Sequence, residues 1–365
     1  MTQADLKIIT RSAQGRSPTF SMESQMDLSK PSGPHLDART WPGVLAGYHR
    51  PSTARSILEI AVTVIPFVAL WVLIAVAVVN GHWWALVLTV PAAGFLVRLF
   101  MLQHDCGHGA LFPRRRANDW AGRVLGVLTF TPYDYWRRTH AVHHASAGNL
   151  DKRGVSDVHT LTVHEYMALS RWGRARYWLY RHPVVMFGVG PAWLFLCQHR
   201  LPIGLMRAGA LPWVSVLATN LAIALLTAGL IWWLGLFTLL VIQLPITLMA
   251  ATAGIWLFFV QHQFEDTHWS EGRDWSFPHA ALHGSTHLDL PPVLRWFTAN
   301  IGVHHVHHLS SRVPFYRLPD VLRDHPELRE VGRITLLQSL QSVKLTLWDE
   351  HSQRLISFRE ARSVG

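Results

Sequence analysis

Cysteine is almost missing from this chain: its 365 residues include two, Cys106 and Cys197. Two distant cysteines cannot frame a disulfide scaffold, and no CxxC pair is present to hold zinc. Charge is scarce too, at 15% of residues against ~25% in ordinary soluble domains. The opening residues lack a basic-apolar-small succession, so no cleaved secretory peptide is expected. No zinc finger, helix-turn-helix pattern or aromatic-interleaved RNA motif accompanies the net charge of +10, so nucleic acid is not the expected partner. The abundant material is apolar, half of the chain, and it is gathered into long runs. These point to a bilayer, with the positive charge expected on the cytoplasmic side against anionic lipid.

Four runs are long enough to cross about 30 Å of hydrocarbon at 1.5 Å per residue: Ile57–Val79, Trp83–Leu102, Leu211–Leu234 and Leu236–Phe259. The first two flank a turn at Asn80, Gly81 and His82, and the last two meet near Gly235, which predicts two helical hairpins. Trp83, Trp84, Trp232 and Trp233 fall where a far interfacial belt would lie, and Arg98 is placed to snorkel. Pro183–Leu196 is apolar but broken by Pro183, Gly188, Gly190 and Pro191. It is read as a half-inserted or interfacial segment. Tyr166–His182 is read as an amphipathic surface helix and Leu336–Trp348 as a closing amphipathic helix. The domain reading is a flexible tail over 1–47, a membrane domain over 48–348 and a C-terminal tail over 349–365.

Histidine carries the chemistry. His104 and His108 stand four apart in HDCGH, directly after the second run. His140, His143 and His144 form HAVHH, and His304, His307 and His308 belong to HHVHH. Positions i, i+3 and i+4 share one helical face, so each cluster offers its rings together. His305 lies about 100° off that face and is read as a supporting residue. His262 follows the last run as His104 follows the first hairpin, and it is a ninth candidate. His283 competes for that role; His268, His279 and His287 are weaker. One structural zinc needs four ligands. Eight or nine imidazoles exceed that and suit two irons. Asp105, Asp134, Asp157 and Glu265 are candidates to orient ring N–H groups. Cys106 is read as a small packed residue. Four crossings bring all three clusters to one side of the membrane; a fifth, at Pro183–Leu196, would strand the third.

HDCGH, HAVHH and HHVHH, interleaved with two apolar hairpins, resemble the membrane fatty acid desaturases over roughly Tyr48–Trp348. The phrases GNLDKRG and NIGVHHVHHLSSRVPFYRL are similar to bacterial acyl-lipid desaturases of the omega-6 and omega-3 type. The resemblance implies an all-α integral membrane fold, four transmembrane helices in two hairpins, and a cytosolic helical cap. It implies a di-iron centre on His104, His108, His140, His143, His144, His304, His307 and His308, with His262 added. It also implies O2 as co-substrate and a cis double bond placed in the acyl chain of a membrane lipid or acyl thioester. An apolar tunnel between the helices would position that chain. No HPGG stretch is present, so the electrons are expected from a separate ferredoxin- or cytochrome-like donor. The basic surface around Arg114–Arg116, Arg137 and Lys152 is a docking candidate. The expected location is the bacterial inner membrane with termini and histidines cytoplasmic. The alternatives are a histidine-box hydroxylase or ketolase on alkyl or carotenoid substrates, and a metal transporter. The last is disfavoured because transporters put polar ligands near mid-bilayer.

Overall fold

The computed structural model describes residues 37–153 and 157–364, so most of the expected N-terminal tail lies outside the described residues. Helix dominates. In chain order the helices are α1 Trp41–Leu45, α2 Thr53–Val79, α3 Thr89–His108, α4 Arg115–Leu128, α5 Tyr133–Ser146, α6 Val163–Ala168, α7 Arg171–Arg181 and α8 Gly190–Leu196. There follow α9 Ala210–Leu234, α10 Leu236–His262, α11 Phe277–His283, α12 Pro292–Phe297, α13 His304–Leu309, α14 Leu318–Asp324, α15 Leu336–Ser339 and α16 Phe358–Val364. By length and composition four are able to cross a membrane: α2, α3 with its 3-10 entry from Trp83, α9 and α10. α3 is central and packs on α2, α4, α5, α10 and α12.

The spans run past their expected ends. α3 continues through His108 and α10 through His262. The polar residues there, Gln103, His104, Gln261 and His262, are buried against protein, so nothing forces the helices to stop at the last apolar residue. α3 stops where Gly109 turns left-handed at φ 69° and returns its N–H to the carbonyls of Asp105 and Cys106.

Arg98 does not snorkel. It is 2% exposed and pairs with Glu59 of α2, while its Nε donates to Thr63 3.1 Å away. Its guanidinium stacks 4.1 Å over the Trp296 ring, so one buried cation ties α2, α3 and α12 together. Glu59 is a built-in counter-ion, and a paired charge has no reason to reach for headgroups.

Pro183–Leu196 forms a π turn at Val185–Val189 followed by the short α8. Pro191 has no N–H to give the Phe187 carbonyl. Thr252 of α10 donates to that carbonyl at 2.6 Å instead, which docks the segment against α10. The 3-10 turn Gln198–Arg200 then meets the interior of α9: Arg200 donates to Asn220 at 2.8 Å, and Asn220 donates back at 2.9 Å.

The single surface helix expected over Tyr166–His182 is two helices. Ser170 restarts the chain by accepting the Gly173 N–H. At its end Arg181 is buried, donating to Thr160 at 3.0 Å and to the Leu345 carbonyl at 2.7 Å. The closing helix expected over Leu336–Trp348 is reduced to α15, a 3-10 turn and a short strand at Leu347–Asp349. The segment after it, read as a tail, is packed: Leu355, Ile356 and Ala361 are buried. At the other end Trp41 and Leu45, also placed in a tail, are core residues. Among the described residues the fold also holds five strands of two or three residues, where an all-α chain was expected. These are β1 Leu161–Thr162, β2 His287–Asp289, β3 Arg333–Thr335, β4 Leu347–Asp349 and β5 Arg354–Ile356. β1 runs parallel to β4, β4 antiparallel to β5, and β2 parallel to β3.

Candidate metal centre

Three helix ends and one short helix deliver the histidines. His104 and His108 occupy the last turn of α3, His262 ends α10, His140, His143 and His144 lie on the second half of α5, and α13 carries the third cluster. α13 is held by its first turn, where the N–H groups of His304 and His305 both donate to the Thr286 carbonyl. Before it, Ala299 and Asn300 take left-handed φ of 50° and 56°. That conformation is uncommon without glycine, and the Asn300 side chain secures it by donating to the Phe315 carbonyl.

The rings assemble into two groups. His104, His108, His140, His144 and His307 form one; His143, His262, His304 and His308 form the other. Within each group one ligand atom per residue lies within 4.8 Å of every other. The first sequence cluster, His104 and His108, stays whole, and the second and third are divided between the groups. The i,i+4 pairs His140/His144 and His304/His308 stay together, whereas neighbours His143/His144 and His307/His308 part company. A step of one residue turns a helical side chain by about 100°, which directs adjacent imidazoles to two different points.

The nitrogens are crowded in a way hydrogen bonds alone do not explain. His140 Nε2 lies 3.0 Å from His104 Nε2, 3.1 Å from His108 Nε2 and 3.1 Å from His144 Nε2. A neutral imidazole has one N–H and one lone pair, so a single Nε2 cannot satisfy three such contacts. His143 and His304 converge likewise on His262 Nε2, each at 3.1 Å. Both nitrogens of His308 and the Nδ1 atoms of His104, His143 and His304 are buried without partners. Nitrogens about 2.0–2.1 Å from a common ion would stand near 3 Å apart. The donor set thus fits a pair of metal ions.

Burial holds the imidazoles of His140, His143, His144, His304, His307 and His308 well below their ordinary pKa, and neighbouring imidazoles push the same way. They are neutral at pH 7, the form that binds metal.

Other expectations resolve residue by residue. His305 faces away: its Nε2 is 2.9 Å from the Leu328 carbonyl, and burial lowers its pKa to about 3. His283 joins neither group; His262 does. The carboxylate shell is largely missing. Asp134 is taken by Arg123, Glu265 is exposed, and Asp157 receives the Val158 N–H. Asp105 approaches His104 Nδ1, but at 3.7 Å it is beyond hydrogen-bond range, and its other oxygen accepts from Phe315. A backbone carbonyl, Gly284, orients His262 instead, 3.1 Å from Nδ1. Cys106 is fully buried, as a packed residue should be.

Trp136 escaped the sequence reading. Its ring stacks on His140 with centroids 4.5 Å apart and planes 16° apart. The signal was available, since it precedes His140 by four residues on one helix. Gly107 answers to the same ring: a Cβ there would sit 2.9 Å from it.

The fatty acid desaturase family profile matches residues 81–335. A fatty acid desaturase of Bacillus subtilis is 42% identical over 321 residues, covering 88% of this chain and 90% of that protein. The sn-1 acyl-lipid omega-3 desaturase (ferredoxin) of Synechocystis is 28% identical, covering 60% of this chain and 61% of its own. The acyl-lipid omega-3 desaturase (cytochrome b5) of Arabidopsis thaliana endoplasmic reticulum is 25% identical, covering 70% and 67%. With two groups of converging histidines, four membrane-length helices and these likenesses, the chain belongs to the fatty acid desaturase family and is an oxidoreductase.

Proposed function

We propose that the protein is an O2-dependent di-iron desaturase that places a cis double bond in the acyl chain of a membrane lipid. The carrying observation is the division of consecutive histidines between two groups. In this reading His104, His108, His140, His144 and His307 hold one iron, and His143, His262, His304 and His308 hold the other. The four long helices form two hairpins, and α4–α8 with the residues after α10 form a cytosolic cap. The histidines and both termini face the cytoplasm of a bacterial cell, with the spans in its inner membrane.

The reaction balances as R–CH2–CH2–R′ + O2 + 2 e⁻ + 2 H⁺ giving R–CH=CH–R′ + 2 H2O. When bound, the iron pair supplies the redox chemistry that reduces O2 and oxidises the two carbons. The protein's share is positioning and exclusion. A hydrocarbon offers no polar handle, so shape must place it. A narrow apolar cleft lies between α3, α8 and α10, lined by Leu96, Phe100, Met101, Phe195, Ala251 and Gly254 among others. Phe100 meets Trp136 edge-on at 5.4 Å, and Trp136 stacks on His140, so one aromatic ring separates the cleft wall from the histidines. Phe258, 4.9 Å from the His143 ring, closes the other flank. These rings keep water from the reacting carbons.

The relatives' names include ferredoxin in one case and cytochrome b5 in another; a separate donor of that kind serves this chain. Arg114, Arg116 and Lys152 are exposed and suit an acidic partner, while Arg115 is paired with Asp119 at 3.1 Å. Arg137 is not free for it, being bound to Asp119 at 2.7 Å.

Expression in a host supplying iron, O2 and a donor, followed by mass analysis of total acyl chains, tests the reading. The expected product is lighter by two hydrogens. A gain of one oxygen would make the protein a hydroxylase, and an unchanged profile would reject both.

A further inference from the structure

Three histidines outside both groups gather at another place. His268 lies in the loop after α10, while His279 and His283 are an i,i+4 pair on α11. The His279 ring is 4.6 Å from His268, with planes 79° apart, and 4.6 Å from His283. Two of the trio's three pairs thus have the spacing of the proposed iron ligands, 4.7 Å for His104/His108, 4.6 Å for His108/His144 and 4.9 Å for His262/His304; His268 and His283 meet only through His279, so a turn of that ring is needed to bring all three onto one ion. Geometry explains the match. With metal–nitrogen bonds of about 2.0–2.1 Å, imidazole ligands of one tetrahedral ion stand about 5 Å apart at their ring centres. His279 is exposed and free to rotate, and its two half-buried neighbours flank it, so an ion can enter from solvent. The His268 N–H donates to the His283 carbonyl at 3.1 Å, which holds the loop and α11 in place without metal.

We propose that His268, His279 and His283 form a surface site for one divalent ion of the zinc class, with water completing the set and no part in the nine-histidine centre. Neutral imidazole without thiolate or carboxylate suits Zn²⁺, Cu²⁺ or Ni²⁺ and disfavours Mg²⁺ and Ca²⁺. Burial and the neighbouring His279 lower the pKa of His268 and His283, which keeps their lone pairs available at pH 7. The position gives the site a purpose. His283 is followed by Gly284, whose carbonyl orients His262. An ion on the trio adds a second tie between α11 and the loop that leaves α10, beside the His268–His283 backbone hydrogen bond, and iron binding does not depend on it.

The test uses the full-length, iron-loaded protein in detergent. It is dialysed against micromolar Zn²⁺, and zinc and iron per chain are measured beside H279N/H283N. The parent should retain one more zinc per chain than the double variant, with iron equal in both. His268→Asn alone should weaken zinc retention by about tenfold or more, since losing even a group that only orients a ligand costs about 10–100-fold. Cobalt(II) substituted for zinc should give visible ligand-field bands in the parent alone. Equal zinc in parent and double variant would overturn the proposal. So would a parallel loss of iron, which would assign the trio to the iron centre. The zinc count is independent of whether the protein desaturates lipid.

Discussion

Two of the long helices are equally apolar over an 18-residue stretch and have opposite surroundings. In the span Trp83–His108 that stretch is 56% buried; in Ala210–Leu234 it is 17% buried. Both contain small residues, which let helices approach closely in lipid. In the first they are used: a Cβ on Gly94 would come 3.0 Å from the Phe297 ring, and one on Gly107 would come 2.9 Å from Trp136. In the second, a Cβ on Gly229 would meet nothing within 4 Å. Leu221, Leu225 and Trp232 of α9 face outward at 62%, 66% and 90% exposure. Hydropathy thus reports whether a helix tolerates lipid. Whether lipid or protein surrounds it depends on the partners that chain topology brings alongside. The buried helix is also the one that ends in two of the histidines, since a metal site needs a rigid, dry support.

Substitutions along the two helices sharpen this contrast. The greatest effect belongs to the centre that α3 supports: His143→Ala should abolish double-bond formation while membrane insertion persists, checked by acyl-chain analysis and membrane fractionation. Full turnover would remove the second cluster from the site. Next is Gly254→Phe on α10, whose added ring would enter the cleft beside α3. Turnover on long acyl chains should fall about tenfold or more, equivalent to about 1.4 kcal/mol, and product analysis with chains of graded length should show shorter ones less affected. Leu99→Ala on α3 removes a fully buried side chain and should cost about 2 kcal/mol or more, the low end for buried leucine, because lipid and not water surrounds the unfolded helix. Gly107→Ala should cost about 1–3 kcal/mol by overpacking against Trp136. The matching changes on α9, Leu221→Ala and Gly229→Ala, should each stay within about 0.5 kcal/mol. Thermal or denaturant unfolding in detergent reads all four. Equal costs on the two helices would mean that α9 is covered by protein in the membrane.

Much of the site was legible before any coordinates. A helical face read from i, i+3 and i+4 brought His140, His143, His144, His304, His307 and His308 into question, and the spacing also set His305 aside. Position relative to the last apolar residue brought in His262. What the pattern did not carry was the sorting of those rings. His143 and His144 are chemically identical, and only the meeting of α5 with α3, α10 and α13 assigns them to different groups. The carboxylate shell failed for a related reason. An aspartate near a histidine in sequence has several possible partners, and Asp134 found an arginine. Backbone carbonyls such as Gly284 are invisible as motifs, since every residue has one. Likewise Arg98 read as a snorkelling cation because Glu59, its partner, lies 39 residues away on another helix.

The chain's residue order settled the four membrane-length segments, the histidine inventory and the family, because apolar length and ring spacing along a helix are local quantities. Long-range packing settled which helix is enclosed, how nine imidazoles divide into five and four, and how a stretch after Asp349 becomes strand and helix. Those outcomes rest on contacts between residues far apart in sequence, and no local period encodes the partner on the other side of a contact.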